Sequence, residues 1–226
     1  MINFPPHPLL SSPEPLPKVP PDDVPSPYSP FYMLNAGDRG IDVSSWQGYP
    51  NWEQVAASGR TFAFLKVTES VDYVNPYFAH NWLQVDETTM LLRGAYHFAQ
   101  PSKNSPEDEF RWFAAHVVLS AEDIPILDLE TGAGDLFGWA STWLTLCWEY
   151  FGKKALFYGG GPFMRVHNLD NEYIASLCCG LWLAAYQQSQ RPPVPDGWQR
   201  LDFWQYTETA NVPGVNGGCD DSIYLP

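Results

Sequence analysis

Two acidic residues interrupt an apolar segment near the middle of the chain, in the run Ile124-Pro-Ile-Leu-Asp-Leu-Glu130. The apolar residues and the Thr-Gly turn that follows them are typical of a buried strand. Since side chains two apart on a strand share a face, Asp128 and Glu130 should lie together, opposite Leu127 and Leu129. Burial of unpaired charge is costly, so such acids usually have a task or a compensating network. Two close carboxyls in dry surroundings acquire different pKa values, which can make one an acid and the other a base.

Short apolar strands alternate with helical stretches from Arg39 onward, which predicts a (β/α)8-type barrel. The predicted strands are Gly40–Trp46, Phe62–Thr68, Arg93–Phe98, Ile124–Glu130, Ala155–Gly159, Leu181–Tyr186, Phe203–Tyr206 and Cys219–Tyr224. The predicted helices are Trp52–Ser58, Pro76–Asp86, Pro106–Leu119, Leu136–Phe151 and Asn171–Leu177. The segment from Arg39 to Pro226 has 188 residues. Because a usual barrel has roughly 250 residues, we expect fewer than eight helices.

Further acids fall on the first and last predicted strands, namely Asp42, Asp220 and Asp221. These two strands are neighbours in a closed barrel, so Asp42 can lie beside Asp220, and Glu130 falls at the carboxyl end of its strand, where active sites of this architecture lie. Aromatic residues on the strands are expected to surround this mouth: Tyr96, Tyr158, Trp182, Tyr186, Trp204 and Tyr206. Such a cleft suits glycoside hydrolysis, in which one carboxyl protonates the leaving oxygen and a second group stabilises the oxocarbenium-like centre.

Residue types alone leave other interpretations of these acids open. Carboxylates also bind Mg²⁺ or Mn²⁺, although no histidine accompanies the acids on the same strand. The acids could also be structural. The four cysteines show neither Cys-x-x-Cys nor paired histidine spacing, so we expect reduced, mostly buried thiols and no zinc site.

The overall charge excludes several classes of partner. The chain has 26 acidic and 12 basic residues and a net charge of −14, which argues against nucleic-acid binding and against electrostatic attachment to anionic membranes. No apolar stretch approaches 18 uncharged residues, and the N-terminus does not resemble a secretory signal. We therefore expect a monomer made in the cytoplasm, the host's if the protein is viral, and released to the cell wall or carried on a virion.

The composition changes near residue 36. Half of the 22 prolines, 11 of them, lie within the first 30 residues, among Ser, Asp and Glu. Such a segment favours an extended polyproline II conformation and cannot build a core. We predict a Pro-rich leader or linker over residues 1–36, either a spacer or a segment without a role, and a catalytic domain over residues 37–226.

Six motifs occur in order at the intervals of barrel strands. They are Gly40-Ile-Asp-Val-Ser-Ser-Trp-Gln-Gly48, Phe64-Leu-Lys-Val-Thr-Glu69, Arg93-Gly-Ala-Tyr-His-Phe-Ala99, Leu127-Asp-Leu-Glu130, Leu181-Trp-Leu-Ala-Ala-Tyr186 and Phe203-Trp-Gln-Tyr206. Together they resemble glycoside hydrolase family 25, the Chalaropsis-type lysozymes or N-acetylmuramidases common among phage endolysins. The resemblance extends from about Arg39 to Tyr224.

This resemblance implies a flattened barrel and cleavage of the β-1,4 bond between N-acetylmuramic acid and N-acetylglucosamine in peptidoglycan, without a metal or cofactor. It implies that Glu130 is the proton donor and later the base. Asp128 matches the acid that orients the substrate's 2-acetamido group, whose oxygen serves as an internal nucleophile, and Asp42 and Asp220 match further acids of the site. The resemblance also implies cleft-lining positions: Tyr96, Tyr158, Trp182, Tyr186, Trp204 and Gln205.

The chain departs from the family pattern at two places. In its last motif, Cys219-Asp-Asp-Ser-Ile-Tyr224, either Asp220 or Asp221 could fill the acidic position, and Ser70-Val-Asp72 replaces glycines expected after Glu69. Endolysin, tail lysin and bacterial enzyme all remain open. A rival interpretation is a non-catalytic peptidoglycan-binding or structural virion domain.

Overall fold

A computed structural model of the protein describes residues 30–186 and 190–226, so the predicted leader lies largely outside the described residues. The described residues form nine strands and six helices. The strands are β1 (Arg39–Val43), β2 (Arg60–Glu69), β3 (Tyr73–Val74), β4 (Leu92–Phe98), β5 (Ile124–Asp128), β6 (Leu156–Gly160), β7 (Gly180–Ala184), β8 (Phe203–Ala210) and β9 (Cys219–Tyr224). The helices are α1 (Trp52–Ala57), α2 (Phe78–Asp86), α3 (Pro106–His116), α4 (Leu136–Phe151), α5 (Gly161–Val166) and α6 (Glu172–Leu177).

Eight of the strands close into a barrel in the order β1-β9-β8-β7-β6-β5-β4-β2, with β2 pairing back to β1 and β3 extending β2 as a short hairpin. The predicted eight-stranded barrel with fewer than eight helices is confirmed. The barrel departs from the regular (β/α)8 pattern in one strand, since β9 runs antiparallel to both β8 and β1. Its connection, residues 211–218, is shorter than the dozen residues that a parallel crossover needs.

Alternation along the strands divides the apolar side chains into two cores. The inner core fills the barrel and includes Phe62, Phe64, Ile126, Trp182 and Phe203. The outer core lies between the barrel and the helices. Along the strands, the residues of the outer core alternate with those of the inner core. The inner rings leave no room for side chains at some neighbouring positions. A Cβ atom at Gly40 would lie only 2.2 Å from the ring of Phe62.

The barrel is plugged at the amino ends of its parallel strands. Phe31 and Leu34 are buried in the inner core, and the Phe31 ring lies 4.9 Å from Phe203, the first residue of β8, and 6.0 Å from Tyr224, the last residue of the antiparallel β9. Both plug residues precede residue 36. The interior is therefore closed at this end, and the opposite end carries the acids.

The helices follow the sequence pattern with shifted ends. Helix α3 begins at Pro106, where Ser105 caps the first turn by accepting from the backbone N–H of Asp108 at 3.2 Å. Helix α5 has no counterpart in the sequence prediction, because it begins in the helix-breaking run Gly159-Gly-Gly-Pro162. Within residues 30–186 and 190–226, no helix is both long and apolar enough to cross a membrane.

Candidate active site

Four acidic residues lie at the open end of the barrel. Asp42 on β1 is the register partner of Asp220 at the start of β9, as predicted for neighbouring first and last strands. Asp128 ends β5 and shares the inward face with Ile124 and Ile126, whereas Leu127 and Leu129 belong to the outer core. The predicted strand end at Glu130 is wrong by two residues, because regular pairing with β6 stops at Asp128.

Asp42 and Asp220 form a carboxyl pair that shares a hydrogen bond. Burial raises the pKa of Asp42 well above its usual range, and the charge of Asp220 raises it further. Burial also raises the pKa of Asp220, but the hydrogen bond with Asp42 lowers it. Both carboxyls therefore hold a proton more readily than a free aspartate does, and the two titrate as a coupled pair. Asp42 also accepts a hydrogen bond from Gln205 Nε2 at 2.8 Å.

Asp128 is buried with an unused acceptor. Its residue is 6% exposed, and its Oδ1 atom has no hydrogen-bond partner among the described residues. Burial is the largest cause of a strongly raised pKa, and the charge of Glu130 is the next. An unsatisfied buried acceptor is costly, so a donor supplied by a ligand would be stabilised there.

Glu130 lies past the end of β5, exposed at the mouth of the barrel. Partial burial of its carboxyl raises its pKa, and the charge of Asp220 adds to this effect, whereas Lys66 opposes it. A carboxyl with a raised pKa keeps its proton closer to neutral pH than an ordinary glutamate does. Glu130 therefore combines access to solvent with the protonation behaviour that a general acid needs.

Lys66 lies close to the carboxyls, although it is not among the predicted site residues. Lys66 Nζ lies 2.6 Å from Glu69 Oε2. The ammonium group also lies 4.6 Å from the centre of the Phe98 ring, and its charge lowers the pKa values of Asp128 and Glu130. The sequence did carry an indication of this position. Lys66 alternates in phase with Phe62 and Phe64 on an apolar strand, so its side chain should point into the barrel as theirs do.

Gln205 connects the acids to two of the predicted tyrosines. Its Oε1 atom accepts hydrogen bonds from the hydroxyls of Tyr158 at 2.8 Å and Tyr186 at 2.6 Å. This orientation of the amide directs its Nε2 donor to Asp42. Burial raises the pKa values of both tyrosines, so these hydroxyls stay neutral donors.

Two other predicted cleft residues lie deeper in the barrel. Tyr96 is buried in the inner core, where burial and the charge of Asp42 raise its pKa. Trp182 is 2% exposed, lies 4.3 Å from the Tyr158 ring and donates its indole N–H to Ser222 Oγ at 3.0 Å. These residues form the floor below the carboxyls.

Trp204 and Asp221 lie on the outer face of the barrel, away from the carboxyl cluster. Trp204 packs against the outer core and donates its indole N–H to the Ala185 carbonyl at 2.8 Å. Asp221 Oδ2 accepts from Arg60 at 2.7 Å and from the Tyr206 hydroxyl at 2.5 Å. Of the two adjacent acids on β9, it is thus Asp220 that the structure places beside Asp42.

A fully buried hydrogen-bonded pair, formed by His97 and Glu109, supports the site from behind β4, and burial lowers the pKa of His97. His97 is 0% exposed and contacts Thr68 Oγ1 and Glu109 Oε2, each at 2.8 Å. Glu109 also accepts from the backbone N–H of Gln100 and from Asn104 Nδ2 at 2.9 Å. These bonds fix the loop between β4 and α3.

Ser70, in the segment that replaces the glycines expected after Glu69, also lies beside the loop between β4 and α3. Ser70 has a left-handed backbone with φ of 54°, a conformation that glycine adopts more readily, and its Oγ accepts from Asn104 Nδ2 at 2.9 Å.

Within residues 30–186 and 190–226, no group of three or more His, Cys, Asp or Glu side chains is arranged to hold a metal ion.

The raised carboxyl pKa values give the fold an expected pH dependence. Asp42, Asp128, Glu130 and Asp220 all have folded pKa values above their ordinary values. Between the ordinary and the raised values the native state binds more protons than the unfolded chain, so this contribution to stability falls as pH rises through that window. We expect a higher melting temperature at about pH 5 than at about pH 8. Calorimetry across this range checks it, and a melting temperature that rises with pH would contradict it.

The comparisons with known proteins support the interpretation that the carboxyls at the mouth of the barrel form the active site of a glycosidase. The family model described as "Glycosyl hydrolases family 25" matches residues 41–215. YegX of Escherichia coli O157:H7, an uncharacterized protein, is 37% identical over 200 residues, which cover 82% of this chain and 69% of YegX. Lysozyme M1 of Streptomyces globisporus is 30% identical over 200 residues, which cover 82% of this chain and 67% of that protein.

The fold agrees as well. The crystal structure of the bacterial lysozyme from Streptomyces coelicolor matches with a TM-score of 0.77 and 28% identity, covering 85% of this chain and 94% of that one. The barrel and its acids thus define a glycoside hydrolase. The chain belongs to glycosyl hydrolase family 25, as the ordered motifs had indicated.

Proposed function

We propose that the protein is a lysozyme that cleaves the β-1,4 bond between N-acetylmuramic acid and N-acetylglucosamine in peptidoglycan, with Glu130 as acid and base. The observation that carries this proposal is the pairing of an exposed Glu130 of raised pKa with a buried Asp128 whose Oδ1 has no protein donor. The similarity to Lysozyme M1 and to the S. coelicolor lysozyme supports the substrate.

In the first step Glu130 donates its proton to the glycosidic oxygen as the bond from this oxygen to the anomeric carbon breaks. Asp128 Oδ1 accepts the N–H of the 2-acetamido group on the same sugar. The carbonyl oxygen of that group then forms a bond to the anomeric carbon, so the sugar supplies its own nucleophile. The free carboxyl oxygen of Asp128 fits this task because its contact with the substrate replaces a missing hydrogen bond.

In the second step Glu130, now ionised, takes a proton from water as the water oxygen attacks the anomeric carbon and the acetamido oxygen leaves. Both steps develop positive charge on the sugar ring. The paired carboxyls of Asp42 and Asp220 contribute negative charge at the same mouth and stabilise the developing positive charge. Gln205 and the tyrosine hydroxyls of Tyr158 and Tyr186 keep Asp42 in place.

Product analysis on purified peptidoglycan tests this proposal. New reducing ends should appear with time, and borohydride reduction followed by mass spectrometry should find the reduced end on muramic acid. Reduced ends on glucosamine instead would indicate cleavage of the other glycosidic bond. EDTA should leave the rate unchanged, whereas strong inhibition would favour a metal-dependent reaction. Binding to the wall without any new reducing ends would favour the rival, a non-catalytic wall-binding or structural domain.

A further inference from the structure

The loop after β1 displays an exposed indole next to the acid cluster. All ten tryptophans lie within the described residues, and Trp46 is 91% exposed, whereas the other nine are buried or half-buried. An indole ring has a large apolar surface, and its burial against a partner is favourable. The Ser-Ser-Trp-Gln-Gly end of the first motif, which carries Trp46, has no part in the mechanism above.

The loop that carries Trp46 is ordered by its own hydrogen bonds. Ser44 N donates to Gln47 Oε1 at 2.9 Å, and Trp46 N donates to Ser44 Oγ at 3.3 Å. The buried Asn81 donates its Nδ2 to the Gly48 carbonyl at 2.9 Å. The backbone beneath the indole is thus fixed before any ligand arrives, which lowers the entropic cost of binding.

Two connections place Trp46 at the open end of the barrel. It follows Asp42 by four residues, so their Cα atoms lie within about 15 Å of each other. Gln47 Nε2 also contacts the Gly218 carbonyl at 3.5 Å, two residues before Asp220 on β9. Trp46 therefore lies near the carboxyls but outside their hydrogen-bonded cluster, where it can contact a sugar further along a bound strand.

We propose that Trp46 is an outer glycan-binding platform, stacking on the apolar face of an amino-sugar ring beyond the pair whose bond is cleaved. The net charge of −14 gives no electrostatic attraction to anionic wall polymers, so contact area must supply the affinity. The inference rests on the proposed function for the choice of ligand. Binding at Trp46 itself does not require catalysis.

The first test measures binding in a Glu130→Gln background, with soluble peptidoglycan glycan strands freed of stem peptides as the probe. Trp46→Ala in this background should weaken binding about fivefold to tenfold, and Trp46→Phe should recover part of the loss. Tyr32→Ala is the matched control, because Tyr32 is a 67% exposed aromatic residue at the plugged end of the barrel, and it should bind as the parent does. Equal binding by the Trp46→Ala variant and its parent would overturn the proposal.

The second test compares rates in the otherwise unchanged enzyme. Trp46→Ala should raise KM for long strands about fivefold to tenfold, with kcat changed less than twofold, and should leave KM for a tetrasaccharide nearly unchanged. A fall in kcat on both substrates would assign Trp46 a structural role and overturn the proposal. If the parent enzyme shows no hydrolysis, the proposed function fails, and the binding comparison still decides the role of Trp46.

Discussion

Glu130→Gln is expected to lower kcat for peptidoglycan hydrolysis by about 10³-fold, within the range that a general acid and base contributes. The amide keeps the shape of the side chain but has no proton to give to the leaving oxygen and cannot take one from water. Because Glu130 lies exposed past the end of β5, the substitution should leave the fold intact. Release of reducing ends measures the rate, and thermal unfolding measures stability.

Glu149→Gln is the matched control, because Glu149 is also an exposed glutamate but lies in the last turn of α4. It should hydrolyse peptidoglycan at the parent rate, which separates the loss of the Glu130 carboxyl from the loss of one negative charge. Full activity of the Glu130→Gln variant would refute the assignment of the acid. An inactive variant that also melts early would point to a fold defect, which circular dichroism would detect.

Asp128→Asn is expected to lower kcat by about 10²-fold and at the same time to raise the melting temperature. In the proposed mechanism, this substitution removes the carboxylate that holds the substrate's acetamido group, which lowers the rate. The gain in stability follows from the raised pKa of this buried acid, since keeping it ionised at neutral pH costs folding free energy. A gain of about 1 kcal/mol is expected at neutral pH and should disappear at low pH.

Asp221→Asn is the control, and it is expected to change the stability of the fold in the opposite direction. Asp221 is also buried, but it lies on the outer face of β9 and pairs with Arg60 at 2.7 Å. Asp221→Asn should leave the chemistry in place and destabilise the fold by about 3 kcal/mol, because it breaks a buried ion pair. If Asp128→Asn destabilised the protein as Asp221→Asn does, Asp128 would be a structural acid, and its proposed role in catalysis would be wrong.

Much of this site was predictable from local pattern. Period-two alternation separated the inward-facing Asp128 from Leu127 and Leu129 in the outer core, and closure of the barrel brought Asp42 to Asp220. These predictions succeeded because strand geometry requires alternation and because the first and last strands of a closed barrel must be neighbours.

The local pattern could not decide the orientation of a strand when either of two adjacent side chains is suited to the barrel interior. Trp204 and Gln205 are adjacent on β8, and either could have faced the acids. The structure directs Gln205 inward to Asp42 and Trp204 outward to the outer core. The phase of a strand is decided by which of its residues can be buried inside the barrel, and β8 begins with Phe203, whose ring packs on the Phe31 plug.

Paired carboxyls on an apolar strand indicated the kind of chemistry, and the alternation of strands and helices indicated the kind of fold, without any knowledge of the structure. The tertiary contacts were needed to show that β9 runs antiparallel, that Asp221 is not the acid beside Asp42, and that Lys66 lies near Asp128. The physical reason is that strand direction and electrostatic environment depend on neighbours distant in sequence. Alternation within a strand records which side chains share a face, but not what lies opposite that face.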